Sequence, residues 1–173
     1  MERELGFALL GPVRAWRGDV ELSLGTPQQR ATLALLLLRN GTPMTMDEIA
    51  DALWAEALPA QPSATIRTYF HRLRRVLATD DRDRVVEVGG GGYRLAVDRL
   101  AVDVGRFCER VARADIALEG GRQRDAVEHL RTALSLHQGT PLAGLPGAFV
   151  QAERARLSRL RWLRPARRGR CGW

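Results

Sequence analysis

Not one of the 173 residues is lysine; all 27 basic residues are arginine, which points to a GC-rich genome rather than to any chemistry. The absence still excludes something. Gly89 to Gly92 form a four-glycine run that resembles a phosphate cradle. A P-loop, however, needs Gly-Lys-Ser/Thr at the start of a helix, and this run leads into the strand-like YRLAV. Only two cysteines are present, Cys108 and Cys171, too few and too scattered for a disulfide framework or a metal site. Cys108 falls in a predicted helix as a small core residue. The three histidines, His71, His129 and His137, have no ligand spacing. No nucleophile motif joins Ser, His and acid, so no enzyme, no cofactor and no metal are expected. No apolar run reaches membrane length, since Leu33 to Leu38 is far too short. No signal peptide is visible, so a cytoplasmic protein without a membrane partner is expected.

A further absence is local. Between Glu56 and Asp80 there is no acidic residue. Within that gap lies PSATIRTYFHRLRRVL (62–77), where Ile66, Phe70, Leu73 and Leu77 share a narrow arc at 100° per residue, with Tyr69 and Val76 on its shoulder. Ala64, Thr68, His71, Arg72 and Arg75 point the other way, flanked by Arg67 and Arg74. Ser63 beside Pro62 is the expected N-cap. Solvated helices ordinarily mix both signs. A one-sided face is therefore either a polyanion-binding surface or a plain exposed face on an arginine-rich chain. The neighbouring segment favours the first: VVEVGGGGYRL (85–95) has the composition of a tight β-hairpin. A basic helix followed by a glycine-tipped hairpin is the pattern of a winged helix.

Upstream, TPQQRATLALLLLRNG (26–41) predicts a buried helix ending at Gly41. TMDEIADALW (45–54) carries Thr45 and Glu48 at capping-box spacing, with Ile49, Leu53 and Met46 inward. FALLG (7–11), VRAWR (13–17) and VELSL (20–24) predict three short antiparallel strands. The expected class is α+β: a winged helix-turn-helix with an N-terminal antiparallel β-meander and a C-terminal wing hairpin, followed by a short all-α tetratricopeptide-like region. Helices are expected at about 103–119, 122–137 and 147–162. Val104, Phe107, Val111 and Ile116 would face Ala126, Val127, Leu130, Ala133 and Leu134. Predicted units are 1–98, 99–163 and an arginine-rich tail, 164–173, expected without fixed structure.

The order FALLGPVRAWRGDVELSLGTPQQRATLALLLLRNG, DEIADALW, SATIRTYFHRLRRVL, GGGGYRL resembles the DNA-binding domain of the Streptomyces antibiotic regulatory proteins, or AfsR-type activators. VDVGRFCERVARADIALEGGRQRDAVEHLRTALSLHQGTPLAGLPGAFVQAERARLSRLR resembles the start of their bacterial transcriptional activation domain. The resemblance spans residues 5 to 161. It implies double-stranded DNA as partner, with the helix 62–77 in the major groove and the hairpin along the minor groove or backbone. Arg72 and Thr68 would then reach base edges, with Arg67 and His71 beside them. Tyr69, Arg74 and Arg75 would lie closer to phosphates. Gly89 stands where relatives often carry a basic wing-tip residue, so Arg94 is expected to support the hairpin or touch backbone. The resemblance further implies an activator of secondary-metabolite genes, binding promoter direct repeats, associating with itself on DNA and recruiting RNA polymerase. Ala55 to Gln61 is either the segment touching polymerase or a mere connector.

Two observations pull against this picture. Residues 1–100 hold 13 arginines and 13 acidic residues; the excess of +7 lies in 101–173. The DNA reading thus rests on local clustering. The chain also stops in RWLRPARRGRCGW, after one helical pair where relatives continue. Leu157, Leu160 and Trp162 are therefore expected to lack packing partners, and no receiver domain or aspartyl-phosphorylation switch is expected. A helical protein-interaction adaptor, or a truncated remnant with impaired DNA binding, is the alternative.

Overall fold

The computed structural model describes residues 4–55, 57–78, 85–89 and 91–160. The acidic loop 79–84, Trp162, Cys171 and the tail 164–173 lie outside them. Three antiparallel strands, β1 (Leu5–Ala8), β2 (Arg14–Arg17) and β3 (Val20–Glu21), precede three helices, α1 (Pro27–Leu38), α2 (Met46–Trp54) and α3 (Pro62–Leu77). A hairpin of β4 (Val86–Gly89) and β5 (Gly92–Leu95) comes next, then a 3-10 turn (Arg99–Ala101) and helices α4 (Asp103–Glu119), α5 (Gln123–Ser135) and α6 (Ala148–Leu160). This is a winged helix with an N-terminal meander, continued by helices, as the sequence predicts.

The helix starts have identifiable causes. Thr45 and Glu48 form the expected capping box, with the Thr45 N–H donating to Glu48 Oε2 at 2.7 Å. α1 carries a second one, Thr26 with Gln29. The expectation of Ser63 as cap of α3 is overturned. Pro62 takes the first helical position, where its missing N–H costs nothing and its fixed φ suits the helix. The cap falls to Gln61, without a side-chain bond.

The meander is shorter than predicted, and for the end of β1 Asp103 explains why. Its buried carboxylate accepts from the Leu9 and Leu10 N–H groups at 2.9 Å, and from its own helix at Val104 N–H, 2.8 Å. Leu142 and Gln138 N–H groups donate to the Leu9 and Leu10 carbonyls, at 3.1 and 2.9 Å. Leu9 and Leu10 leave the ladder because another part of the chain satisfies their backbone. The hydrophobic core accordingly runs without a break from Phe7, Ile49 and Leu73 to Val104, Phe107, Val150 and Leu157.

Two expectations about the helical region fail, the first of them in part. Ile116, Val127 and Leu134 are exposed rather than facing one another. The rest of the expected stripes holds: Val104, Phe107, Ala126 and Ala133 are buried, with Val111 and Leu130 partly buried against them, and α4 adds Ala114 and Ala117, which cluster with Ala126. Leu157 and Leu160 do not lack partners. Both are buried in the main core, because α6 packs back on α2 instead of awaiting a further repeat.

Candidate nucleic-acid interface

Burial orients α3. Ile66, Phe70, Leu73 and Leu77 are each at most 1% exposed, and a fully buried side chain of this size contributes about 1.5–3 kcal/mol. Four of them outweigh any preference of the opposite face. Arg67, Thr68, His71, Arg72 and Arg75 are left exposed, while Tyr69 and Arg74 are half-buried.

Among the described residues, no carboxylate pairs with the guanidinium groups of this face. Among the described residues, the salt bridges are Arg14–Glu21, Arg94–Glu87, Arg113–Glu109, Arg122–Asp125 and Arg156–Glu153. None involves Arg67, Arg72, Arg74 or Arg75. No acid stands in the first turn of α3 to offset its last-turn arginines. Among the described residues the charge that α3 presents is therefore positive, although residues 1–100 balance overall.

Three contacts fix α3 against its surroundings. Arg17 of β2 donates through Nη2 to the Val76 and Ala78 carbonyls at 3.2 and 3.0 Å. It thereby satisfies carbonyls that the helix end leaves open, where a cation is also favoured by the dipole. Arg74 Nε donates to the Val86 carbonyl at 3.2 Å, tying α3 to β4. Tyr93 of β5 stacks on Phe70, ring centroids 4.4 Å apart. The wing is held from the other side by Met44, whose N–H and carbonyl pair with Tyr93 at 2.8 and 2.7 Å. That close pairing requires glycine at 92, since a Cβ there would lie 2.3 Å from the Met44 carbonyl oxygen.

The residues singled out from the sequence thus divide. Arg67, Thr68, His71, Arg72 and Arg75 share one exposed face, with Tyr69 at its margin. Thr68 Oγ1 donates to the Ala64 carbonyl at 3.0 Å and keeps its lone pairs for a partner. Arg74 points to the hairpin. Arg94 pairs across the strands with Glu87, Nε to Oε2 at 2.7 Å, which supports the hairpin and offsets its charge. Sequence reasoning missed Arg17, Met44 and Gln29. Gln29 is 5% exposed, and Arg72 Nη1 donates to its Oε1 at 3.4 Å. The Thr26–Gln29 capping-box spacing was a signal for it. For Arg17 and Met44 there was none, because both act through contacts distant in sequence.

Comparison with known proteins agrees with this fold. Residues 20–95 match the model of the "transcriptional regulatory protein, C terminal" family, and residues 102–170 that of the "bacterial transcriptional activator domain". The regulatory protein AfsR of Streptomyces coelicolor is 45% identical over 157 residues, 91% of this chain and 16% of that protein. The regulatory protein DnrI of Streptomyces peucetius is 29% identical, over 88% of this chain and 59% of its own length. The structure of Mycobacterium tuberculosis EmbR in complex with a low-affinity phosphopeptide superposes with a TM-score of 0.88 at 33% identity, covering 94% of this chain and 43% of that one. The chain spans about a sixth of the AfsR relatives' length. No helix among the described residues is long and apolar enough to cross a membrane.

Proposed function

The chain belongs to the AfsR-type family, the Streptomyces antibiotic regulatory proteins, and on that premise we propose that it binds double-stranded DNA sequence-specifically to regulate transcription. The observation that carries this reading is the exposed face of α3, where Arg67, His71, Arg72 and Arg75 have no carboxylate partner among the described residues. Arg72 and Thr68 read base edges in the major groove; an arginine fork on guanine O6 and N7 discriminates by about 1–3 kcal/mol. Arg67 and His71 lie beside them. Arg75 and Tyr69 contact phosphates, which fixes register without reading sequence. Arg74 and Arg94 serve the interface by holding the wing.

As an activator of secondary-metabolite genes, the protein binds direct repeats near promoters, where protomers stack head to tail, and it recruits RNA polymerase. The segment Ala55 to Gln61 would offer the polymerase contact. The experiment is a gel shift on DNA upstream of its own gene neighbourhood across a salt series. A site bound more tightly than shuffled DNA, with affinity falling as salt rises, supports the reading. Equal affinity for both duplexes refutes it.

A further inference from the structure

We propose that Gln29, on α1 and outside the recognition helix, is the positioning residue that presents Arg72 to the DNA, and that its neutrality is required for this. The inference rests on the proposed base-reading role of Arg72.

Gln29 is enclosed rather than free to choose a rotamer. Its Oε1 lies 3.3 Å from both Thr26 N and Thr26 Oγ1 and 3.4 Å from Arg72 Nη1. On the near side it is walled by Gly25, where φ is +79° and a Cβ would stand 2.7 Å from that same oxygen. One amide oxygen therefore serves the start of α1 and the guanidinium of α3 together. The contact spans 43 residues of sequence.

The third residue of a capping box can be Glu or Gln, and this chain uses both. At the start of α2 it is Glu48, whose carboxyl the Thr45 backbone N–H holds below its ordinary pKa. At the start of α1 it is Gln29, and no acid occupies that first turn. A carboxylate would suit the helix dipole better, so helix stability does not explain the amide. Arg72 does. A guanidinium has five N–H donors; a neutral acceptor engages one, limits the side chain's freedom and leaves both its charge and its fork for the partner. A carboxylate would take the fork bidentately through charge-assisted bonds about twice as strong. Arg94 shows the other outcome in this molecule, being held by Glu87.

The test compares the full chain with Gln29→Glu, Arg72→Ala and the double variant. The probes are the duplex that the unaltered protein selects from a randomised pool and a shuffled duplex of the same composition. Gln29→Glu is expected to melt at or above the parent temperature, because the capping box is kept. Its selected-to-shuffled affinity ratio should fall about tenfold, within the range lost with one bidentate base contact. In the Arg72→Ala background the same change should alter that ratio by less than about twofold, as expected when two residues act through one contact. A retained ratio in Gln29→Glu, with a reduced ratio in Arg72→Ala, overturns the inference about Gln29 alone. A retained ratio in Arg72→Ala overturns the base-reading role on which it rests. Should Gln29→Glu not fold, Gln29→Met carries the test. It removes the acceptor at similar size, and an unchanged ratio there overturns the proposal.

Discussion

The ring of Tyr93 in the β4–β5 hairpin stacks on that of Phe70 in α3, centroids 4.4 Å apart and planes inclined by 26°. Such a pair contributes about 0.5–1.5 kcal/mol beyond the area it buries. Tyr93→Leu should therefore lower stability by at least about 1 kcal/mol, and Tyr93→Phe should change it little. Denaturant unfolding of both variants checks this. A cost for Tyr93→Phe equal to that for Tyr93→Leu would show that the hydroxyl, not the stack, matters.

The neighbouring glycines separate two kinds of constraint. At Gly92 an added Cβ would meet the Met44 carbonyl oxygen at 2.3 Å, whereas Gly91 has open space but a φ of +84°. Gly91→Ala should cost about 1–2 kcal/mol, the penalty of a left-handed L-residue. Gly92→Ala must move a strand and should cost clearly more. Equal thermal shifts for the two would contradict the pairing of Met44 with Tyr93.

Much of this was legible in the sequence. The period of Ile66, Phe70, Leu73 and Leu77 announced α3 and its exposed face, and Thr45–Glu48 announced the start of α2. Both signals are local, carried by residues three or four apart. Asp103 was not legible, because its partners Leu9 and Leu10 are more than 90 residues away and are backbone groups, which every residue has. The α4–α5 contact was legible in part. Ala126, Leu130 and Ala133 were expected there and are buried or packed on the cores, but Ile116, Val127 and Leu134 are exposed, and Ala114 and Ala117 gave no signal, since alanine is equally at home on an exposed helix. Of the candidate site, the exposure of Arg67, Thr68, His71, Arg72 and Arg75 was legible and the contacts of Arg72 and Arg74 were not. Arg74 and Arg72 are the same residue type two positions apart, and what separates them is their surroundings: Val86 stands across from one and Gln29 from the other.

Ala55, just after α2, has φ +49° and ψ −114°, a conformation that glycine adopts freely and alanine does not. Ala55→Gly should stabilise the protein by about 1 kcal/mol, the relieved strain exceeding the extra entropy of the unfolded glycine. A lower melting temperature for Ala55→Gly would show that the connection is not strained.

Asp103 should make stability depend on pH. Burial is the largest influence on its carboxyl and pushes the pKa up to about 6 from an ordinary 3.8, against the opposing pull of the Leu10, Leu9 and Val104 N–H groups and of Arg106. The native chain thus keeps a proton that the unfolded chain has released. Its stabilising effect is full below the unfolded pKa and is lost as pH rises through about 6. The difference corresponds to about 3 kcal/mol. Asp103→Asn cannot titrate. The stability gap between the parent and this variant should therefore widen by up to about 3 kcal/mol from about pH 7 to about pH 4. A gap constant over that range would contradict the assignment.

The most direct measurement pairs Arg72→Ala with Arg75→Ala on a duplex selected by the unaltered protein and on its shuffled counterpart, each over a salt titration. Arg72→Ala should lose about 1–3 kcal/mol on the selected duplex and much less on the shuffled one. Arg75→Ala should weaken both alike and reduce the salt slope by about one. Equal losses on the two duplexes for Arg72→Ala would contradict sequence reading by the exposed face of α3.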